Sequence, residues 1–170
     1  MKVTSLINRM IDHLPVRTVY AHCDIPCGIY DPHNAQMAAH TIIRMTGLIN
    51  DLKASSDNAP FEERKKIIHD LSRITHIKEE HGHLVEDELG TLDNDYFKPE
   101  HHKEFPELAE LLKSAVTLSV KVRQNIDMGV ANQLLEATQK IAEIFYKTKK
   151  LEPVRIASGY PTGGELVSHK

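Results

Sequence analysis

The stretch PELAELLKSAVTLSVKVRQNIDMGVANQLLEATQKIAEIF, Pro106 to Phe145, decides the fold. Pro106 suits the first turn of a helix, where a missing N–H costs nothing. After it Leu108, Leu111, Leu112, Ala115, Leu118 and Val122 recur at three- and four-residue steps, which puts them on one helical face. Gly129 interrupts the pattern. Leu134, Leu135, Thr138, Ile141, Ala142 and Phe145 then restart it. The same signature lies upstream, where Asp31-Pro32 opens a helix carrying Ala35, Ala39, Ile42, Met45 and Ile49 inward to about Lys53. Small polar residues from Ala54 to Ala59 form a loop. Pro60 opens another helix, with Ile67, Leu71, Ile74, Ile77, Leu84 and Val85 as its seam. Residues 90–103 hold too many turn formers to be helical throughout. Four amphipathic helices on short connections predict an all-α chain, an up-down-up-down four-helix bundle spanning residues 22–150.

The 170 residues suffice for one hydrophobic core. The net charge is −3, and Lys2, Arg9 and Arg17 against Asp12 give the first 21 residues +2, leaving −5 for the remainder. Lysines and arginines are scattered, so no basic stripe exists for a nucleic-acid backbone. No run approaches the ~20 apolar residues of a membrane span, which predicts a soluble chain. MKVTSLINRMIDHLPVRTVYA, residues 1–21, is broken by Asn8, Arg9, Asp12 and His13 and lacks a secretory core. It reads as an amphipathic leader removed in the cytoplasm. LEPVRIASGYPTGGELVSHK, residues 151–170, has no helical period and is expected to run extended along the surface or stay mobile.

Between leader and bundle lies HCDIPCGIYDP, His22 to Pro32, which fits no helix. A disulfide between Cys23 and Cys27 would close too small a loop to restrict the unfolded chain much, so metal or redox chemistry is the better use of the two thiols. Cys and His together suit a transition metal, and spacing alone leaves zinc, copper or a pair of idle thiols open. Adjacency of His22 and Cys23 narrows this. Were His22 the first residue, its α-amine, the next amide nitrogen and the Cys23 thiolate would close two fused five-atom chelate rings, a square-planar preference. Cys27 would fill the fourth corner after the turn at Pro26. That geometry favours Ni(II) or Cu(II) over tetrahedral zinc, and two thiolates tend to reduce Cu(II), placing nickel ahead. A free amine is required, because a peptide nitrogen is a poor donor unless deprotonated. Cleavage between Ala21 and His22 would therefore build the site.

With Asp95-Tyr96-Phe97-Lys98-Pro99 and Ile144-Phe145-Tyr146-Lys147-Thr148-Lys149, the His22–Pro32 motif resembles the nickel-containing superoxide dismutase family over roughly residues 22–149. The resemblance implies a right-handed four-helix bundle assembled as a homohexamer, a dedicated maturation protease, a cytoplasmic location and conversion of superoxide to dioxygen and hydrogen peroxide. It implies nickel ligation by the His22 amine and imidazole, the Cys23 amide and thiolate, and the Cys27 thiolate. It places Asp24, Pro26 and Tyr30 in the hook around the metal, with Tyr96 and Lys98 nearby. Where some members support the axial imidazole with glutamate and arginine, this chain has Ala38 and His81. Tryptophans common in the family are replaced by Asp93 and Tyr146.

The catalytic expectations are that Tyr30 and Tyr96 close the open face of the site and that Lys98 attracts the anion. Asp31 reads as a helix cap, and Phe97 as core. Glu80-His81-Gly82-His83 holds one Glu-x-x-His step without the second copy a di-iron bundle needs. His81 and His83 therefore default to satisfied or partly exposed histidines, and His101 and His102 to a solvent-facing loop. The rival from another class is a non-catalytic carrier or sensor that binds nickel, copper or zinc through Cys23 and Cys27. A thioredoxin-like dithiol protein is disfavoured, because helical sequence throughout leaves no parallel sheet.

Overall fold

The computed structural model describes residues 27–170. After the irregular segment 27–32, four long helices follow: α1 (His33–Asp51), α2 (Phe61–Thr91), α4 (Leu108–Gln124) and α5 (Met128–Thr148). The turn at Leu92–Tyr96 continues α2 as a π-helical turn, and the short α3 (Pro99–Glu104) links it to α4. Helix α1 packs on α2 and α5, and α4 packs on the same two, which closes a four-helix bundle. Two strands, β1 (Pro153–Ala157) and β2 (Glu165–His169), complete the chain.

The apolar stripes meet as the periodicity predicts. Ala35, Ala39, Ile42, Val85, Leu108, Leu112, Ala115, Val122, Leu134, Ile141, Ala142 and Phe145 share one core with Leu89, Leu92 and Phe97. Three expectations need correction. The start of α5 is set by Asp127, whose carboxylate accepts the Val130 N–H at 3.0 Å, so Gly129 lies inside its first turn. Along α2, Leu71 and Leu84 face solvent, whereas Lys78 and Gly82 are buried. Lys78 lies inside because its ammonium donates to the carbonyls of Val122, Arg123 (3.2 Å) and Asn125 (3.0 Å), where α4 runs out of internal donors. Burial pushes its pKa below the usual lysine value. Residues 99–104 are helical, so His101 and His102 sit on α3 and are half-buried.

Residues 151–170 form an antiparallel hairpin in which Arg155 faces Val167. Its turn includes Gly163 and Gly164 at φ of 64° and 74°, a conformation that disfavours side chains. Leu166 and Val167 are buried against the bundle, which gives this region the packed contact that its lack of helical period does not announce.

Candidate metal centre

Cys27 is the one member of the proposed ligand set among the described residues; His22 and Cys23, with Asp24 and Pro26, lie outside them. Its Sγ is exposed and accepts the Ile29 N–H at 3.4 Å. Gly28, at φ of 71°, turns the backbone so that this donor points back at the sulfur. An N–H aimed at sulfur is the kind of outer hydrogen bond that orients a thiol ligand for a metal. An accessible, N–H-supported sulfur fits a soft transition metal. Among the described residues no group of three His, Cys, Asp or Glu side chains gathers to hold a metal by itself. His81 donates from Nδ1 to the Ile77 carbonyl of its own helix at 2.8 Å, and His83 contacts Arg123 of α4 and lies beside Glu79 and Glu86. Ala38 is buried in the core and offers no polar atom.

Three residues beyond Cys27, the Tyr30 ring packs 5.6 Å from Tyr96 at an interplanar angle of 52°. The pair comes from remote elements, Tyr30 from the lead-in to α1 and Tyr96 from the π-helical turn. That turn widens the helix and swings Tyr96 toward α5, where Phe145 lies 4.6 Å from it. Tyr96 is fixed further by its hydroxyl, 2.7 Å from Thr148 Oγ1. Thr148 donates its own proton to the Phe145 carbonyl at 2.7 Å, so the Tyr96 proton is the one shared between the two hydroxyls. His101 stacks on the same ring at 5.6 Å and 24°. The Asp31 carboxylate accepts the His33 N–H at 2.8 Å from the turn ahead of α1; the cap position itself is taken by Pro32, so Asp31 supports the helix entry one residue before the cap expected of it.

Lys98 is exposed and donates to the Asp95 carbonyl at 2.7 Å. The cation at the tyrosine pair is Lys149, missed as a site residue although it closes the third motif. Its ammonium is 3.3 Å from the Tyr30 carbonyl, 4.5 Å from the Phe145 ring centroid and 5.6 Å from that of Tyr96. It couples the end of α5 to the Cys27 segment by a charge-assisted hydrogen bond and cation–π contact. Tyr146, beside it in sequence, is 4% exposed. Burial, and secondarily the Asp31 charge, push its phenol up to about 12. No helix among the described residues is long and apolar enough to cross a membrane.

Residues 17–149 match the family described as nickel-containing superoxide dismutase. The enzyme named superoxide dismutase [Ni] from Streptomyces seoulensis is 34% identical over 136 residues, covering 80% of this chain and 94% of the relative. Its namesake from Streptomyces coelicolor is 32% identical over the same shares. The crystal structure of a Ni-containing superoxide dismutase in the oxidised-state ligation superposes with a TM-score of 0.64 at 32% identity, covering 76% of this chain and 99% of that one. A native nickel superoxide dismutase structure gives the same TM-score at 28% identity. Together with the four-helix bundle, these likenesses establish that the chain belongs to the nickel-containing superoxide dismutase family.

Proposed function

We infer that this chain disproportionates superoxide to dioxygen and hydrogen peroxide at a nickel centre, and that the centre forms after cleavage before His22. The residues that would hold nickel are His22 through its amine and imidazole, Cys23 through its amide nitrogen and thiolate, and Cys27 through its thiolate. Asp24 and Pro26 would shape the hook. Nickel supplies a one-electron Ni(III)/Ni(II) couple, which oxidises one superoxide and reduces a second. The observation that carries the reading is the family match running through Cys27, whose sulfur stands open three residues from a paired-tyrosine wall.

The chain's own groups have distinct tasks. Tyr30 and Tyr96 together form an aromatic wall that admits a small anion or water and excludes larger reductants. Tyr96 serves as the anchor, its hydroxyl held on Thr148, and Tyr30, three residues from Cys27 in the chain, is assigned the proton traffic to the product. Lys149 offsets the negative field of the body at this point, which favours arrival of an anion. Lys98 is more distant from this task, since its ammonium is engaged on the Asp95 carbonyl. The Ile29 N–H holds the Cys27 thiolate oriented and less prone to oxidation.

Residues 1–21 act as the leader in this proposal, removed by a maturation protease in the cytoplasm. The working assembly is a homohexamer, and the exposed Phe61 and Ile68 of α2 supply apolar surface for a subunit contact. The deciding experiment compares the intact chain with one beginning at His22, both supplied with nickel. The trimmed chain should bind about one nickel, give an oxidised-state EPR signal and disproportionate superoxide; the intact chain should do none of these. Binding by the trimmed chain without turnover would identify a carrier, and indifference to nickel would end the proposal.

A further inference from the structure

The hairpin begins after residue 149, where the family match stops. It nonetheless completes the bundle chemically. Gln36, on α1, is buried and forms two bonds to one residue of β2: its Oε1 accepts the Val167 N–H at 2.7 Å and its Nε2 donates to the Val167 carbonyl at 3.0 Å. His40, one turn later, is 3.1 Å from the Glu165 carbonyl through Nε2 and 2.9 Å from Thr162 Oγ1 through Nδ1. The carbonyl can only accept, so Nε2 carries the proton. Gln139, on α5, donates to the same Glu165 carbonyl at 2.6 Å. Arg155 of β1 pairs with Glu143 of α5 at 2.7 Å. The hairpin thus both covers Gln36, His40 and Gln139 and supplies the partners that their burial requires.

These contacts fall on either side of the Cys27–Asp31 segment. Gln36 lies in the first turns of α1, which that segment enters directly. At the end of β2 the His169 ring packs on Tyr146 of α5 at 4.9 Å and 53°. Tyr146 adjoins the last turn of α5, from which Lys149 reaches the Tyr30 carbonyl. Strand β2 thus ties the helix that leaves the hook to the helix end that grips it.

We propose that the C-terminal hairpin is a clamp that positions the Cys27–Asp31 segment, with Gln36 and His169 as positioning residues for the metal hook. The inference rests on the nickel reading for its catalytic meaning, but its mechanical part stands independently. A clamp differs from an added stabilising module in where its loss is felt. Loss of the His169 ring should loosen the segment between α1 and α5 while the bundle interior keeps its protection.

The test uses the chain beginning at His22, with His169→Ala and His169→Phe. Amide hydrogen exchange is measured first without nickel. In His169→Ala the Ile29 and His33 amides should exchange at least about tenfold faster while Ile42 and Ile141 are unchanged, and His169→Phe should restore protection. With nickel supplied, His169→Ala should retain metal but show an altered EPR spectrum and about three- to tenfold lower turnover, again rescued by phenylalanine. Unchanged exchange at Ile29 and His33, equal acceleration throughout the bundle, or no rescue by phenylalanine would overturn the clamp. If the parent chain takes up no nickel, the nickel reading fails on that arm, while the exchange arm still decides the clamp.

Discussion

Replacing Lys78 by methionine separates what holds the bundle from what serves the site. Lys78 is 2% exposed; the methionine keeps most of its buried stem and removes the ammonium, which donates to the carbonyls of Val122, Arg123 and Asn125. Each hydrogen bond from a charged donor has a net value of roughly 1.5–3 kcal/mol, so three would suggest about 4–9 kcal/mol. Two effects reduce this. The variant no longer desolvates a charge, a relief of several kcal/mol, and the Asn125 carbonyl, on an exposed residue, can turn to water. A net loss of about 2–4 kcal/mol remains, which at about 2–4 °C per kcal/mol lowers Tm by roughly 5–15 °C. The assay is thermal unfolding of the chain beginning at His22, followed by circular dichroism, together with nickel bound and superoxide turnover per folded chain. The two site readouts should not change, because Lys78 meets the end of α4 and none of the residues around Cys27. A methionine variant as stable as the parent would refute the capping argument.

Substituting Tyr30 by phenylalanine should leave nickel content intact and lower turnover about tenfold or more, the scale of a lost proton-transfer group; quantifying metal and activity together checks this, and loss of metal would reassign Tyr30 to the hook's structure. Lys149→Gln should reduce kcat/KM about two- to fivefold at low ionic strength, with the difference shrinking as salt screens the field, whereas Lys98→Gln should have the smaller effect. Tyr146 is raised from an ordinary value of 10.0 to about 12 in the folded chain, by burial first and the Asp31 charge second. The unfolded chain therefore loses this proton first, so stability is intact below pH 10 and falls by about 2–3 kcal/mol as pH rises through 12. Denaturant unfolding between pH 9 and 12 should show that loss in the parent and a shallower one in Tyr146→Phe.

Much of the fold was legible because helix formation is local. The steps at Leu108–Val122 and Leu134–Phe145 state which faces are apolar, and Pro60 marks a helix start that the structure keeps. The chelate proposed for His22 to Cys27 rests on the same locality, since fused chelate rings are a property of neighbouring atoms. Asp127 was overlooked as a helix start because Gly129, two residues on, is the louder local signal although helices tolerate glycine in the first turn. Lys78 resisted reading because a lysine in an apolar seam normally signals a solvated edge, and its partners lie some 44 residues away in the chain.

What the sequence alone determined is therefore the inventory: four amphipathic helices, a thiol-and-imidazole segment ahead of them, and a family resemblance carried by three motifs. Tertiary structure alone decided the pairings. Tyr30 meets Tyr96, Lys149 rather than Lys98 stands beside them, and Gln36, His40 and Gln139 turn from misplaced polar residues into the seat of a hairpin. Periodicity records which face of a helix turns inward, but a polar atom's burial is tolerable only with a partner, and that partner can be supplied by chain more than a hundred residues away.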